Sequence, residues 1–236
     1  MTHSTLHQRA SAGIDRSQPA AFPAGCRQNA GAQGWRTGVR PPISISMTDA
    51  QYLNGRLLLA MPGMGDSRFD HAVIAMCVHD DHGALGIGIG AVREGVTLHG
   101  LLADVGIDPG VAPDIPVLDG GPVEPARGFV LHSDDWGDDD DAETSVAVAS
   151  LCRLSASLDV LRAIAEGRGP SRFLVALGYA GWGAGQLEAE MRRHGWHAAQ
   201  GRPEILFETP TGRRWTMAWK REGIDPAHLV GQTGQA

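Results

Sequence analysis

The sequence predicts an α+β fold, and three observations carry the prediction. Short apolar runs with the character of strands alternate with amphipathic stretches that have the period of a helix. Several of these runs are separated by turns too short for a crossover helix, which favours hairpins over a doubly wound parallel sheet. The 236 residues are 42% hydrophobic, enough to bury the core of one sizeable domain.

Strands are predicted where apolar runs containing β-branched residues are bounded by turn formers. The runs at 71–79 and 83–92 are separated by a short polar turn and are expected to form a hairpin. The complete set of predicted strands is 55–62, 71–79, 83–92, 115–123, 128–133, 145–151 and 172–180.

Helices are predicted where apolar residues recur three or four positions apart. Thr97 and Ser157 stand in N-cap positions before two of these stretches, and Leu187 and Met191 share one face of a third. The predicted helices are 97–107, 157–170, 183–195 and 212–223.

The chain divides into a basic extension, residues 1–46, and a patterned domain, residues 47–236. The extension carries five arginines and one aspartate, and it has few large apolar residues and no regular period. Such a composition cannot bury enough surface to offset the entropy of ordering, so we expect disorder. Met47 opens the domain, and one alternative is that it is the true start of the protein.

The net charge argues against nucleic acid as a direct partner. From residue 47 onward the chain carries 15 basic and 26 acidic residues, a balance of −11. Because affinity for phosphates comes mainly from Lys and Arg, this body is expected to repel DNA and anionic lipid. Direct DNA contact would need the extension or a local patch of arginines, for which the candidates are Arg192, Arg193, Arg213 and Arg214.

A cytoplasmic protein without a cofactor is expected. The sequence has no run of 18 apolar residues and no apolar N-terminal segment of the kind found in secretory signals. Cys26, Cys77 and Cys152 are too few and too scattered for a disulfide framework, which favours a reducing compartment.

Two histidines flank two aspartates at residues 79–82, which raises the question of a metal site. Histidines three residues apart converge on one metal in a helix, whereas the flanking runs here have the character of strands. In a hairpin, His79 and His82 would face each other across the turn residues Asp80 and Asp81. The hairpin is the favoured interpretation, and no metal is expected.

The stretch DGGPVEPARGF, residues 119–129, is the first candidate for a binding surface. Gly120, Gly121 and Pro122 can form an exposed turn whose main-chain amides hold an anion, and Arg127 could add positive charge. The alternative is a turn between strands with a structural arginine.

The stretch GYAGWGAGQLE, residues 178–188, is the second candidate. Tyr179 and Trp182 can line a pocket, while Gly183 and Gly185 stand at a helix start, where amides attract anions, and Gln186 follows them and could instead satisfy an early main-chain amide or lie in solvent. The alternative is close packing of a strand on a helix where only glycine fits, with Trp182 half buried.

The candidate motifs for catalysis and nucleotide binding are each incomplete in this sequence. The glycines of 86–92 lie within a strand, whereas a dinucleotide loop requires them between a strand and a helix. Cys77 lies in an apolar strand, where a thiol is normally inert, and no serine occupies a GxSxG turn. The acidic run 134–143 lacks the spacing of a calcium loop and is expected to be solvated.

Seven blocks, in order, resemble the AlgH/YqgE family of bacterial cytoplasmic proteins. The first is LNGRLLLAMPGMGDSRFDHAVIAMCVHDDHGALGIGIG, residues 53–90, and the resemblance covers about residues 52–236. The other blocks are DGGPVEPARGFVLHS (119–133), LGYAGWGAGQLEAEM (177–191), GW (195–196), ILF (205–207), RRW (213–215) and GID (223–225).

The resemblance implies a single domain whose bent mixed or antiparallel sheet wraps into a pseudo-barrel flanked by helices. It also implies a role in transcriptional regulation, and it brings no catalytic constellation with it. This chain departs from the family at Gly90–Val92, where the family usually carries Asn, a basic residue and Pro. It departs again at Gly234–Ala236, where members often end Gly-His-Ala.

We therefore expect a non-enzymatic regulatory or interaction protein that acts through a protein partner of unknown identity. One alternative is a small-ligand sensor or an enzyme with a pocket near Gly120–Arg127 and Gly178–Gln186. Another is a DNA-binding regulator that uses the extension or the arginine patch.

Overall fold

The structure is a computed structural model that describes residues 52–62, 69–137 and 145–228. These ranges contain ten strands and five α-helices. The strands are β1 (Leu57–Ala60), β2 (Val73–Asp80), β3 (Gly83–Gly88), β4 (Val92–Thr97), β5 (Pro116–Asp119), β6 (Val123–His132), β7 (Ser145–Val148), β8 (Cys152–Ser155), β9 (Phe173–Gly183) and β10 (Trp196–Ala199). The helices are α1 (Leu98–Asp104), α2 (Leu158–Ala165), α3 (Gln186–Arg192), α4 (Pro203–Phe207) and α5 (Arg214–Arg221).

The strands form one mixed sheet in the order β10-β1-β2-β3-β9-β6-β8-β7. Neighbours along this path are antiparallel. Off this path, β5 pairs with β9 in parallel, and β4 pairs with β5 in the antiparallel direction. Strands and helices with hairpin connections make this the α+β fold that the sequence predicts.

The sheet is curled around one hydrophobic interior. Leu59 and Ala199, near one end, share a hydrophobic cluster with Val148 and Cys152 at the other. Trp219 of α5 is 1% exposed and fills the same interior. The expected pseudo-barrel is therefore confirmed, with the main core inside the curl.

Helices cover the outer face of the sheet in two places. Leu98, Leu101 and Leu102 of α1 pack with residues of α2, β6 and β9 in a second cluster. Leu187 of α3 packs with Trp182 and with other residues of β1, β2, β9 and β10 in a third. Each helix buries an apolar stripe, which accounts for the periodicity seen in the sequence.

Most predicted elements are present, with differences at their ends. Thr97 is the N-cap of α1, and its side chain accepts a hydrogen bond from the Gly100 amide. Ser157 occupies the N-cap position of α2, but its side chain makes no capping bond. The predicted strands 115–123 and 128–133 are wrong in their boundaries, because β6 runs unbroken from Val123 to His132.

The predicted division at residue 46 lies outside the described residues, and the proposed disorder of 1–46 stays a prediction. No helix in the described ranges is long and apolar enough to cross a membrane.

Candidate functional site

The seven candidate residues from the sequence fall into separate places. Gly120, Gly121 and Pro122 line one cavity, which we call the outer cavity. Tyr179 and Trp182 line a different one. Arg127 and Gln186 line neither of the two.

The outer cavity has a volume of about 370 Å³. Three distant stretches of chain form it, namely the segment into β2, the end of β3 with the start of β4, and the turn between β5 and β6. This volume is within the range of small-ligand pockets. Its lining residues are Phe69, Asp70, His71, Ala72, Val73, Ile74, Gly88, Gly90, Ala91, Arg93, Asp119, Gly120, Gly121, Pro122, Pro125 and Ala180.

Close contact between backbones explains the glycines of this region. A Cβ on Gly120 would stand 2.1 Å from the carbonyl oxygen of Gly178, and one on Gly88 would stand 2.5 Å from that of Asp119. The Gly120 amide donates to Leu177, so it cannot also bind an anion. The expectation of an anion cradle therefore fails for Gly120, and the structural interpretation of this glycine is the right one.

Two opposite charges line the outer cavity without touching each other. Arg93 of β4 donates from Nη1 to the carbonyl oxygen of Pro125 at 2.8 Å. Asp119, at the end of β5, makes no side-chain hydrogen bond or ion pair with any described residue. Arg93 is thus bound to a main-chain carbonyl but to no carboxylate, and Asp119 is exposed, so both charges remain available to a ligand.

An Asp–His pair stands at the rim of the same cavity. His71 Nδ1 lies 2.9 Å from Asp70 Oδ1, and because a carboxylate only accepts, Nδ1 carries the proton. His71 has a φ of 55°, unusual for a residue with a side chain, and its ring meets that of Trp215 edge-on at 4.3 Å.

Arg214 lies behind the wall of the outer cavity and is 3% exposed. It donates from Nη1 to the Ile89 carbonyl at 2.7 Å and from Nε to the Thr209 carbonyl at 3.1 Å. Burial lowers the pKa of the guanidinium to about 10, so it stays charged at neutral pH. The sequence places Arg214 in a possible DNA-binding patch, but its burial removes it from any such surface.

The second cavity, of about 320 Å³, opens beside the β2–β3 hairpin. Val78, Leu85 and Val123 contribute apolar side chains to it. Tyr179 is 7% exposed, and its hydroxyl lies 3.4 Å from a Glu124 carboxylate oxygen.

Arg127 also contacts Glu124, at 3.1 Å, and stacks over the Phe129 ring. The structure thus brings Arg127 and Tyr179 together around one carboxylate. This arrangement places Arg127 in a structural ion pair, one of the two roles considered for it.

The hairpin that contains the two histidines is present, but its turn is shifted by one residue. Asp80 pairs with Gly83 across the strands, so Asp81 and His82 form the turn and His79 faces Ala84. Asp80 Oδ1 accepts from the amides of His82 and Gly83, a local bond typical of aspartate in turns. Among the described residues, no group of three or more His, Cys, Asp or Glu is arranged to hold a metal.

His79 is buried and ties three segments together. The Leu53 amide donates to its Nδ1 at 3.1 Å, so the proton is on Nε2, which lies 3.0 Å from Glu188 Oε1. The pKa of Glu188 is held below its usual value by its own main-chain amide and by this histidine. The Asn54 side chain bonds both main-chain groups of His79, so this histidine joins the start of the domain to α3.

A serine and a histidine meet in the interior, an arrangement that sequence spacing could not show. His132 Nδ1 lies 2.8 Å from the Ser133 carbonyl and therefore carries the proton, while Nε2 lies 2.9 Å from Ser155 Oγ. Serine hydrolases use such a pair, but His132 and Ser155 are both 0% exposed. The hydroxyl has no path to a substrate, which makes the pair structural.

Trp182 is 8% exposed, so the expectation that it is half buried is wrong. Helix α3 has seven residues and begins after Gly185, which has a φ of 71°. Gln186 Oε1 accepts from the Gly183 amide and Nε2 donates to Glu190. Gln186 therefore satisfies a main-chain amide next to the helix start.

Comparisons with known proteins point to one family. The AlgH-like family model matches residues 57–227. A UPF0301 protein of Novosphingobium aromaticivorans is 83% identical over 190 residues, which is 80% of this chain and all of that protein. A UPF0301 protein of Rhizorhabdus wittichii is 58% identical over 78% of this chain and 97% of that protein.

Solved structures agree on the fold. The solution structure of the AlgH protein from Pseudomonas aeruginosa is similar with a TM-score of 0.62 and 35% identity, covering 85% of this chain and all of that one. A crystal structure of a Corynebacterium diphtheriae protein, at 19% identity and a TM-score of 0.61, covers 75% of this chain and 91% of that one and supports the fold alone.

Proposed function

The chain belongs to the AlgH-like family, and from that premise we propose that it is a non-enzymatic regulatory protein that binds a small molecule in the outer cavity. Binding in the cytoplasm would change its contact with a protein partner. This proposal joins the regulatory role implied by family resemblance to the small-ligand pocket considered for the turn at Gly120–Arg127.

One observation carries the proposal. Three stretches of chain far apart in sequence converge on the outer cavity, and they leave Arg93 and Asp119 facing it without an ion pair between them. Asp119 is exposed and Arg93 is half-buried, so both charges stand at the mouth of the cavity and neither is neutralised by the other. Gly90 and Ala91, where the chain departs from the family pattern, lie in the same wall, which supports a ligand particular to this chain.

A thermal-shift screen of the full chain against small metabolites tests the proposal. Binding to the folded state alone raises the melting temperature, so at least one class of compound is expected to stabilise the protein. Ala91→Phe would fill the cavity from an exposed position and abolish the shift. Ala184→Phe, which is exposed and lines neither cavity, is the matched control and keeps it. A shift that survives in Ala91→Phe, or no shift with any compound, would contradict the proposal.

Direct DNA binding is disfavoured within this proposal. The charge balance of −11 from residue 47 onward opposes phosphate contacts, and burial removes Arg214 from the surface. Fluorescence anisotropy across a salt series is expected to show no binding with sequence preference. Sequence-specific binding that persists at physiological salt would replace the proposal with a direct transcription factor.

An enzyme is the second candidate, and the Asp70–His71 pair favours it. The two side chains are 61% and 66% exposed and lie 2.9 Å apart at the rim of the outer cavity, and an imidazole beside a carboxylate is a candidate general base. The test is product formation from any compound that the screen identifies. Turnover that is lost in His71→Asn while ligand binding is retained would establish the enzyme; binding without turnover supports the regulatory protein.

A further inference from the structure

We infer that the ligand of the outer cavity is a small zwitterion of the amino-acid class, with its carboxylate at Arg93 and its ammonium at Asp119. The inference rests on the proposed function, because it names the chemistry of the same site. It depends on how the strands place two opposite charges and on which main-chain groups face the cavity.

The sheet register places the two charges on adjacent strands. Val92 of β4 pairs with Leu118 of β5, and the two strands are antiparallel. Arg93 and Asp119 are the next residues on their strands, so they lie on opposite sides of this pair. Both residues line the cavity, where Asp119 is exposed and Arg93 is half-buried, and no ion pair joins them. A ligand that carries both charges can bridge the gap, and each contact is then a charge-assisted hydrogen bond.

The Ile89–Gly90 peptide supplies a further donor for the carboxylate. Arg214 holds the Ile89 carbonyl from the interior at 2.7 Å. Since the peptide is trans, the Gly90 N–H points away from that carbonyl, on the side opposite the buried arginine. This N–H donates to no acceptor in the described part of the chain. Donation from the guanidinium polarises the peptide and makes its N–H a stronger donor.

The other acidic residue of the wall is already engaged. Asp70 lies 2.9 Å from His71 Nδ1, which leaves Asp119 as the carboxylate without a protein partner in this wall. The apolar part of the wall consists of Phe69, Ala72, Ile74, Pro122 and Ala180. An apolar side chain of the ligand fits there, so L-leucine is a suitable probe.

Isothermal titration calorimetry on the full chain measures how much each charged group of the ligand contributes to binding. The probes are L-leucine, 4-methylpentanoate, which is leucine without its amino group, and 3-methylbutylamine, which is leucine without its carboxylate. Leucine is expected to bind at least about tenfold more tightly than either half, because each half loses one charge-assisted contact.

Two variants assign the contacts. Arg93→Gln is expected to weaken leucine binding by about tenfold or more and to leave 3-methylbutylamine unchanged. Asp119→Asn is expected to weaken leucine and to leave 4-methylpentanoate unchanged. Arg162→Gln and Asp159→Asn, which separate an exposed ion pair on α2, are the matched controls and retain wild-type binding.

The outcomes separate this inference from the proposed function. If either half binds as tightly as leucine, the zwitterion is wrong and the ligand-binding function stands. The same conclusion follows if leucine does not bind while another compound of the screen stabilises the protein through the cavity. If no compound stabilises the protein at all, both fail. Variants that weaken leucine must keep the wild-type melting temperature, and a drop in it would assign the loss to folding and overturn the assignment of the two contacts.

Discussion

The indole Nε1 of Trp182 donates to Glu190 Oε2 at 2.9 Å. The indole of Trp196 donates to the same oxygen, also at 2.9 Å, and the two tryptophans are 8% and 6% exposed. One carboxylate of α3 thus satisfies two buried donors, one on β9 and one on β10. This pair of bonds fixes the helix on the outer face of the sheet.

Removal of that carboxylate is expected to destabilise the fold. Glu190→Ala would leave both indole N–H groups without an acceptor, at a cost of about 2 kcal/mol or more in the free energy of unfolding. Urea denaturation followed by tryptophan fluorescence measures it. Glu94→Ala, on the exposed face of β4, is the control and should change stability by less than about 0.5 kcal/mol. Equal stability of the two variants would show that α3 does not depend on Glu190.

A substitution at Gly120 tests the close approach of β5 to β9. Gly120→Ala would place a methyl group 2.1 Å from the Gly178 carbonyl oxygen, which neither backbone can avoid without moving. A loss of about 3 kcal/mol is expected from this overpacking. Gly128→Ala is the control, because a Cβ there meets nothing within 4 Å. If Gly120→Ala unfolds at the same denaturant concentration as wild type, the backbones are not in this contact.

The two cysteines of the interior are expected to be unreactive in the native protein. Burial raises the pKa of Cys152 to about 12 and raises that of Cys77 well above its usual value, so neither forms the reactive thiolate at pH 8. In the Cys26→Ser variant, Ellman's reagent should detect no thiol before denaturation and both afterwards. Addition of Ser150→Cys, at an exposed position, supplies a positive control. Rapid labelling of the native Cys26→Ser protein would contradict the buried placement.

The sequence predicts the strands that consist of unbroken apolar runs and misses those that do not. Strand β4 reads VREGVT and is largely exposed, so no apolar pattern marks it. Strand β8 reads CRLS and carries Arg153, which is buried because Ser145 and Asp134 accept its hydrogen bonds. The five residues of α4 are too few to show a helical period. For β4 and β8, pairing with other strands overrides the local pattern.

The candidate site is predictable only in part for the same reason. The DGGP turn is visible as a cluster of turn formers, and it lines the outer cavity as Gly120, Gly121 and Pro122. Arg93 and His71 carry no local signal, because a charged residue beside a strand is usually solvated. Arg93 joins the turn through the pairing of β4 with β5, and His71 through the pairing of β2 with β3, which spacing along the chain does not reveal.

Acid is expected to destabilise the protein through His132. Burial lowers the pKa of His132, and the nearby charge of Arg153 adds to this effect. The unfolded chain takes up a proton near pH 6.5, whereas the folded protein does so only at lower pH. Below about pH 6.5 the unfolded state therefore binds more protons, so the contribution of His132 is complete above that pH and is lost as the pH falls towards the folded pKa. Denaturation curves at pH 8, 7, 6 and 5 should show this decline, which His132→Gln should reduce and the exposed-site control His82→Gln should retain. A slope that is unchanged in His132→Gln would assign the acid sensitivity to other groups.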